Sequence, residues 1–103
     1  SSYRATICDD DGGNCLTSTG ERNSCRKCAT ALWLFAPEWP DLMHPFASAI
    51  DTELPVPPAR THLMLRYKAS WVEPVIAPND LAFDLYPEES IERWHKRHGL
   101  WIP

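Results

Sequence analysis

The chain has 103 residues, single-domain size, long enough to bury roughly 60 to 68% of the surface its unfolded form exposes. Apolar residues at 44% and charged residues at 23% exclude a disordered polar chain, and no apolar run is long enough to span a bilayer. A formal charge of -4, with no basic stripe beyond Arg93 to His98, excludes non-specific nucleic-acid binding, which needs clustered cations facing phosphates.

One domain spanning residues 1 to 103 is expected, and the fold class is mainly β with one C-terminal helix. No initiator methionine and no charged-then-apolar leader precede Tyr3, so the chain is expected to start after processing or at an artificial boundary. Tyr3-Arg4-Ala5-Thr6-Ile7 alternates large apolar with small or polar residues and predicts an edge strand. From Cys8 to Ser24 the chain is rich in Asp, Gly, Asn, Ser and Thr, which favour turns and leave little to bury, and a long surface connection is expected. Ala31 to Phe35 predicts a core strand. Pro37 and Pro40 then bracket Glu38-Trp39 in a turn, because proline fixes φ and removes a donor.

Phe46 to Ile50 predicts a short strand, ended by a stiff connector through Pro55, Pro57 and Pro58. His62 to Tyr67 predicts another, with Leu63, Leu65 and Tyr67 on one face. The helix is expected from Pro87 to His98, with Pro87 in its first turn, Glu88 and Glu89 at its positive end and Gly99 at its C-cap. It should pack through Ile91 and Trp94, with ion pairs from Glu89 to Arg93 and from Glu92 to Lys96. The five tryptophans read as core and lid residues.

The strongest chemical signal is Cys25-Arg26-Lys27-Cys28. Two cysteines in a tight turn can aim both sulfurs at one zinc ion, which takes about four ligands at ~2.3 Å, so this pair supplies half of a closed site. Cys8 and Cys15 are either the other two ligands, giving the spacing C-x6-C-x9-C-x2-C, or loop thiols, free or paired. The two-residue spacing of Cys25 and Cys28 fits metal or redox chemistry better than a structural cross-link, and a cytoplasmic origin is expected. A redox pair of this kind opens a helix whose N-terminus lowers the thiol pKa, whereas a strand-like run follows here. His95 and His98 fit a favourable interaction with the helix's negative end better than metal ligation. His44 and His62 read as hydrogen-bonded rather than ligating. Asp9-Asp10-Asp11-Gly12 lacks the acidic twelfth residue of a calcium loop, that position being Gly20, and reads as a solvated turn.

Taken in order, Cys-x-x-Cys-Ala-Thr-Ala-Leu-Trp from Cys25 to Trp33, Leu54-Pro55-Val56-Pro57-Pro58 with His62-Leu63, Ala69-Ser70-Trp71-Val72, Tyr86 to Ile91, Trp94-His95 and His98-Gly99-Leu100 carry a family pattern. Together they resemble the C-terminal half of the glutathione-dependent formaldehyde-activating enzyme family. The resemblance implies a β-tent of packed antiparallel sheets, a structural zinc on four cysteines, and a second zinc on a cysteine trio used with glutathione adducts of small aldehydes, a carbon-sulfur lyase chemistry. Cys25 and Cys28 match the downstream pair of the structural site. The upstream CxC pair and the catalytic trio have no match in Ser1 to Ser24, and Cys8 and Cys15 lie where the family has a variable hairpin. The family commonly places glycine where Ala29 stands, so a positive φ at Ala29 would cost energy. The competing expectation is a non-catalytic binding module, zinc-stabilised or metal-free, that pairs through an exposed sheet edge as a homodimer.

Overall fold

Tyr3 to Ile7 forms the edge strand that its alternation predicts. In the computed structural model, which describes residues 1–103, β1 spans Ser2–Cys8 and pairs antiparallel with β2, Cys15–Ser24. β3 (Ala31–Phe35) pairs with β2 on its other side, and a two-residue β4 (His44–Pro45) closes a four-stranded sheet in the order β1-β2-β3-β4. The protein is therefore mainly β, with an antiparallel sheet and a single α-helix. Contacts divide it into two compact units, Ser1–Leu54 and Pro55–Pro103.

β2 is the main correction to the expected element order. Only the Asp/Gly-rich part of the expected surface connection is a turn, and residues 15 to 24 form the longest strand. Burial does not drive it, since most of its side chains are exposed or half-buried. A central strand instead has both rows of backbone groups paired, and Thr17 and Thr19 fit a pleated surface. Between Arg4 and Thr6 of β1 the register shifts opposite Glu21 and Thr17, so β2 carries the extra residues. Gly20 sits in this bulge, where its amide donates to Ser18 Oγ at 3.0 Å. A Cβ on Gly20 would stand 3.2 Å from Leu34 Cδ1 and 3.3 Å from Ser18 Oγ, so close approach selects glycine here.

The expected strand over Phe46–Ile50 is replaced by a 3₁₀ turn at Ala47–Ala49. Phe46 still donates its amide to Leu32 O at 3.0 Å, but Ala49 and Ile50 turn back onto Phe46 and Ala47. Small alanine and serine residues supply no apolar face that would hold an extended segment.

In the second unit, β5 is only Thr61–His62 and pairs in parallel with β6, Leu81–Ala82. The expected strand to Tyr67 breaks at Met64, which adopts φ 57 and starts a 3₁₀ turn over Leu65–Tyr67. The following segment stays beside it: Met64, Leu65 and Arg66 donate to Leu85 O, Phe83 O and Asp84 O at 2.8, 3.3 and 3.0 Å. One carboxylate anchors this pairing. Asp80, with a side chain 3% exposed, accepts from His62 Nε2 at 3.0 Å and from the amides of Arg60 and Ala77 at 2.9 and 3.0 Å.

These donors, the His62 imidazole first, lower the Asp80 pKa from 3.8 to about 2. A carboxylate more acidic in the folded state contributes stability that is present above pH 3.8 and lost as the pH falls towards 2. Asp80→Asn should therefore lower the melting temperature at neutral pH. The gap from the parent should close on acidification between about pH 5 and 2, followed by circular dichroism. A constant gap would show that the ionised anchor is not what holds the segment.

α1 spans Ile91–Arg97, shorter than expected, because Ser90 is its N-cap and accepts from the Arg93 amide at 3.1 Å. Gly99 does close it, at φ 70. The amides of Gly99 and Leu100 donate to Lys96 O and His95 O, the paired bonds of a Schellman end. Glu92 pairs with Lys96 at 2.8 Å as expected. Glu89 lies outside the helix and reaches Arg97 instead, at 2.6 Å. The expected packing through Ile91 is not found, since Ile91 is 72% exposed. Trp39, Trp71 and Trp101 are likewise exposed rather than in a core. No helix is long and apolar enough to cross a membrane.

Candidate metal centre

Residues 25 to 30 form the turn that joins β2 to β3. Cys25 donates its amide to Thr30 O at 2.9 Å and accepts from the Ala29 amide at 2.9 Å, which wraps Arg26, Lys27 and Cys28 into one loop. Its base is fastened to the start of β1, where Ser24 donates to Ser1 O at 2.8 Å. Ala29 lies at φ 62, the left-handed conformation that reverses the chain after Cys28. For alanine this conformation carries the cost that a glycine would not incur.

Cys25 is half-buried and Cys28 exposed, and both are free thiols. The Thr30 hydroxyl lies 3.0 Å from Cys28 Sγ. That hydroxyl, then the Thr30 amide and the Cys25 thiol, draw the Cys28 pKa below its ordinary value. These bonds favour the ionised form of the Cys28 thiol. The following segment is strand β3, so hydrogen bonds and not a helix dipole do this. Thr30 is a neighbour of the Cys28 thiol that spacing arguments missed. Its only sequence signal is a hydroxyl two residues beyond the second cysteine.

Glycine at position 29 would relieve the left-handed alanine. Ala29→Gly should raise stability by about 0.5–1 kcal/mol, the strain relieved less the added freedom of the unfolded glycine. A denaturant midpoint measures this, and an unchanged or lowered midpoint would show that Ala29 is unstrained.

Of the two alternatives for Cys8 and Cys15, further ligands or loop thiols free or paired, the structure shows the paired thiols and not the four-cysteine arrangement. They face each other at the far end of the β1–β2 ladder and form a disulfide. Along the ten residues of β2, at roughly 3.3 Å per residue, they stand about 25–30 Å from the turn at Cys25. A disulfide also offers no thiolate to a metal. No three His, Cys, Asp or Glu side chains are gathered into a metal-binding group. The turn thus places two free thiols, Cys25 and Cys28, in one loop.

Of the histidines, His62 and His95 are hydrogen-bonded, while His98 packs on Trp94 and its buried Nε2 has no partner. His95 Nδ1 is 2.7 Å from Ile91 O, and His98 stacks on Trp94 at 4.3 Å between centroids. His62 is held by Asp80, and Asp9 to Gly12 form the solvated β1–β2 turn. An apolar groove of about 240 Å³ runs beside α1 between Thr61, Leu63, Pro87, Ile91, Trp94 and His95. No cysteine lines it.

Over 98 residues, 95% of its length, the chain is 56% identical to a protein of Halomonas elongata named "Putative glutathione-dependent formaldehyde-activating enzyme". This chain spans 59% of the length of that relative. The similarity bears out the resemblance drawn from the motifs between Cys25 and Leu100. No family model matches the chain, and no solved structure gives a significant match.

Proposed function

We propose that this chain is the zinc-binding part of a protein of the glutathione-dependent formaldehyde-activating family, and that Cys25 and Cys28 are two of four ligands to a structural zinc. The observation that carries the reading is the β2–β3 turn, in which two free thiols share one hydrogen-bonded loop and the Thr30 hydroxyl lies 3.0 Å from Cys28 Sγ. Zinc bound there would lock the hinge of the sheet. The remaining two ligands come from outside these residues, from another segment or from a second copy.

Carbon-sulfur lyase chemistry on glutathione-aldehyde adducts then belongs to the intact architecture. A closed structural site has no open coordination position with which to polarise a substrate. The zinc-loaded chain is accordingly expected to turn over the formaldehyde adduct of glutathione at background rate. The same residues within a protein of the relative's length should turn it over. Turnover by the chain alone, well above background, would overturn the assignment of the chemistry to residues elsewhere.

A second reading, a binding module that pairs through a sheet edge, is favoured by β1. It is paired only with β2, and six of its seven side chains are exposed. The two readings are compatible if the partner at that edge also brings the missing ligands.

A further inference from the structure

The helix face that the sequence marks for burial is left without a partner. Ile91, one of the two residues expected to seat α1, is 72% exposed, whereas Trp94 is half-buried. The apolar groove of about 240 Å³ lies along this face, walled by Leu63, Pro87, Ile91, Trp94 and His95, all within the second unit. Its aromatic wall is held together by packing, with the His95 and His98 rings 4.9 and 4.3 Å from the Trp94 ring between centroids. An engineered cavity of roughly 150 Å³ takes a benzene molecule, so a ring of that size fits this groove with room for a substituent.

One polar atom on the wall sets what the occupant must carry. His95 Nδ1 lies 2.7 Å from Ile91 O. A carbonyl oxygen only accepts, so Nδ1 carries the proton and Nε2 of the neutral ring is an acceptor. Nothing in the chain donates to Nε2. A flat apolar ring bearing one hydroxyl donor suits these walls, and the side chain of tyrosine is such a group.

The chain presents that group beside the groove itself. Tyr86 is 74% exposed and adjoins Pro87 of the wall. Its backbone is constrained on both sides, because Leu85 O accepts from the Met64 amide at 2.8 Å and the proline that follows keeps Tyr86 out of the helical region. Little freedom is left to lose on docking. A knob and a hole side by side on one surface are what a two-fold pairing needs, since each copy then fills the groove of the other. The surface is also large enough. An accessible area of 8778 Å² exceeds that of two closed globules of half the mass by about 1,700 Å², and a standard interface removes only about 800 Å² from each partner. We infer that a second copy of this chain docks on this face, the Tyr86 ring of each copy entering the groove of the other and its hydroxyl donating to His95 Nε2. The β1 edge belongs to the first unit, so pairing there and pairing here answer to different substitutions.

The test is the dimer dissociation constant of the full chain, measured by sedimentation across about a hundredfold range of concentration, with circular dichroism as the check on folding. Tyr86→Ala, at an exposed position, should leave the spectrum unchanged and weaken dimerisation by on the order of a hundredfold, because two aromatic anchors are lost from each dimer. Tyr86→Phe keeps the ring and loses only the hydroxyl, and should weaken it by on the order of tenfold. His95→Phe removes the acceptor and should have the same effect. The two phenylalanine substitutions together should weaken dimerisation no more than either alone, as expected of residues that share one bond, whereas a purely structural histidine would add its loss to that of Tyr86→Phe. A chain that stays monomeric throughout, a dissociation constant unmoved by Tyr86→Ala, or additive losses in the double variant would overturn the inference.

Discussion

Zinc uptake is expected to vanish when Cys25 and Cys28 are replaced by serine, and to survive when Cys8 and Cys15 are. The two double variants remove the same number of sulfurs, so cysteine content cannot account for a difference between them. The distinction rests on position. Cys25 and Cys28 share a six-residue turn whose backbone bonds hold both thiols together, while the disulfide lies at the opposite end of β2. Structural zinc sites of four ligands bind with about 10–16 kcal/mol, roughly 3 kcal/mol per ligand, so even Cys28→Ser alone should weaken binding by on the order of a hundredfold or more. Cobalt substituted for zinc reports the same event optically, because thiolate ligation gives a charge-transfer band. If the other ligands come from a second copy, the isolated chain binds one metal per two chains. If they come from another segment of a longer protein, that protein binds one per chain. Loss of zinc in the Cys8→Ser, Cys15→Ser variant would show that the hairpin end takes part after all.

The two-residue spacing of Cys25 and Cys28 made the tight turn before β3 legible in the sequence, and the family's glycine marked Ala29 as a residue for which a positive φ would be costly. β1 and β3 were legible because each carries apolar residues at strand spacing. β2 was not, since its polar residues resemble a loop and become a strand only through neighbours on both sides. The break at Met64 had no local signal either, because an unbranched apolar residue gives no warning of a positive φ. Asp80 was missed for a related reason. Its three donors come from Arg60, His62 and Ala77, two of them some twenty residues away. At the far end of the hairpin the sequence left Cys8 and Cys15 open between ligands and paired thiols, and only the register of the ladder decides between them.

The isolated chain is expected to associate, and its surface is the reason. Its accessible area is 8778 Å². A closed globule of 11.8 kDa exposes about 5,900 Å², and even two separate globules of half that mass would expose only about 7,100 Å² together. The only buried hydrophobic residues are Ala36 and Ala59, while Tyr3, Ile7, Leu16, Val56, Trp71 and Val75 stand at least half exposed. The chain thus buries about half of its unfolded surface, against about 65% for a closed domain of this mass. Its heat-capacity change on unfolding should accordingly be near three quarters of the usual ~1.3 kcal/mol/K. The surplus of about 1,700 Å² over even the two-globule case is the size of a specific protein interface. Sedimentation velocity should therefore show the average mass rising with concentration across about a hundredfold range, and a dye that binds apolar surface should brighten most in the dilute sample. Lysine in place of the exposed Ile7 would put a charge on the edge strand and should weaken association by on the order of tenfold if β1 is the contact. A strictly monomeric chain with the heat capacity of a closed domain would show that these 103 residues bury their apolar surface unaided.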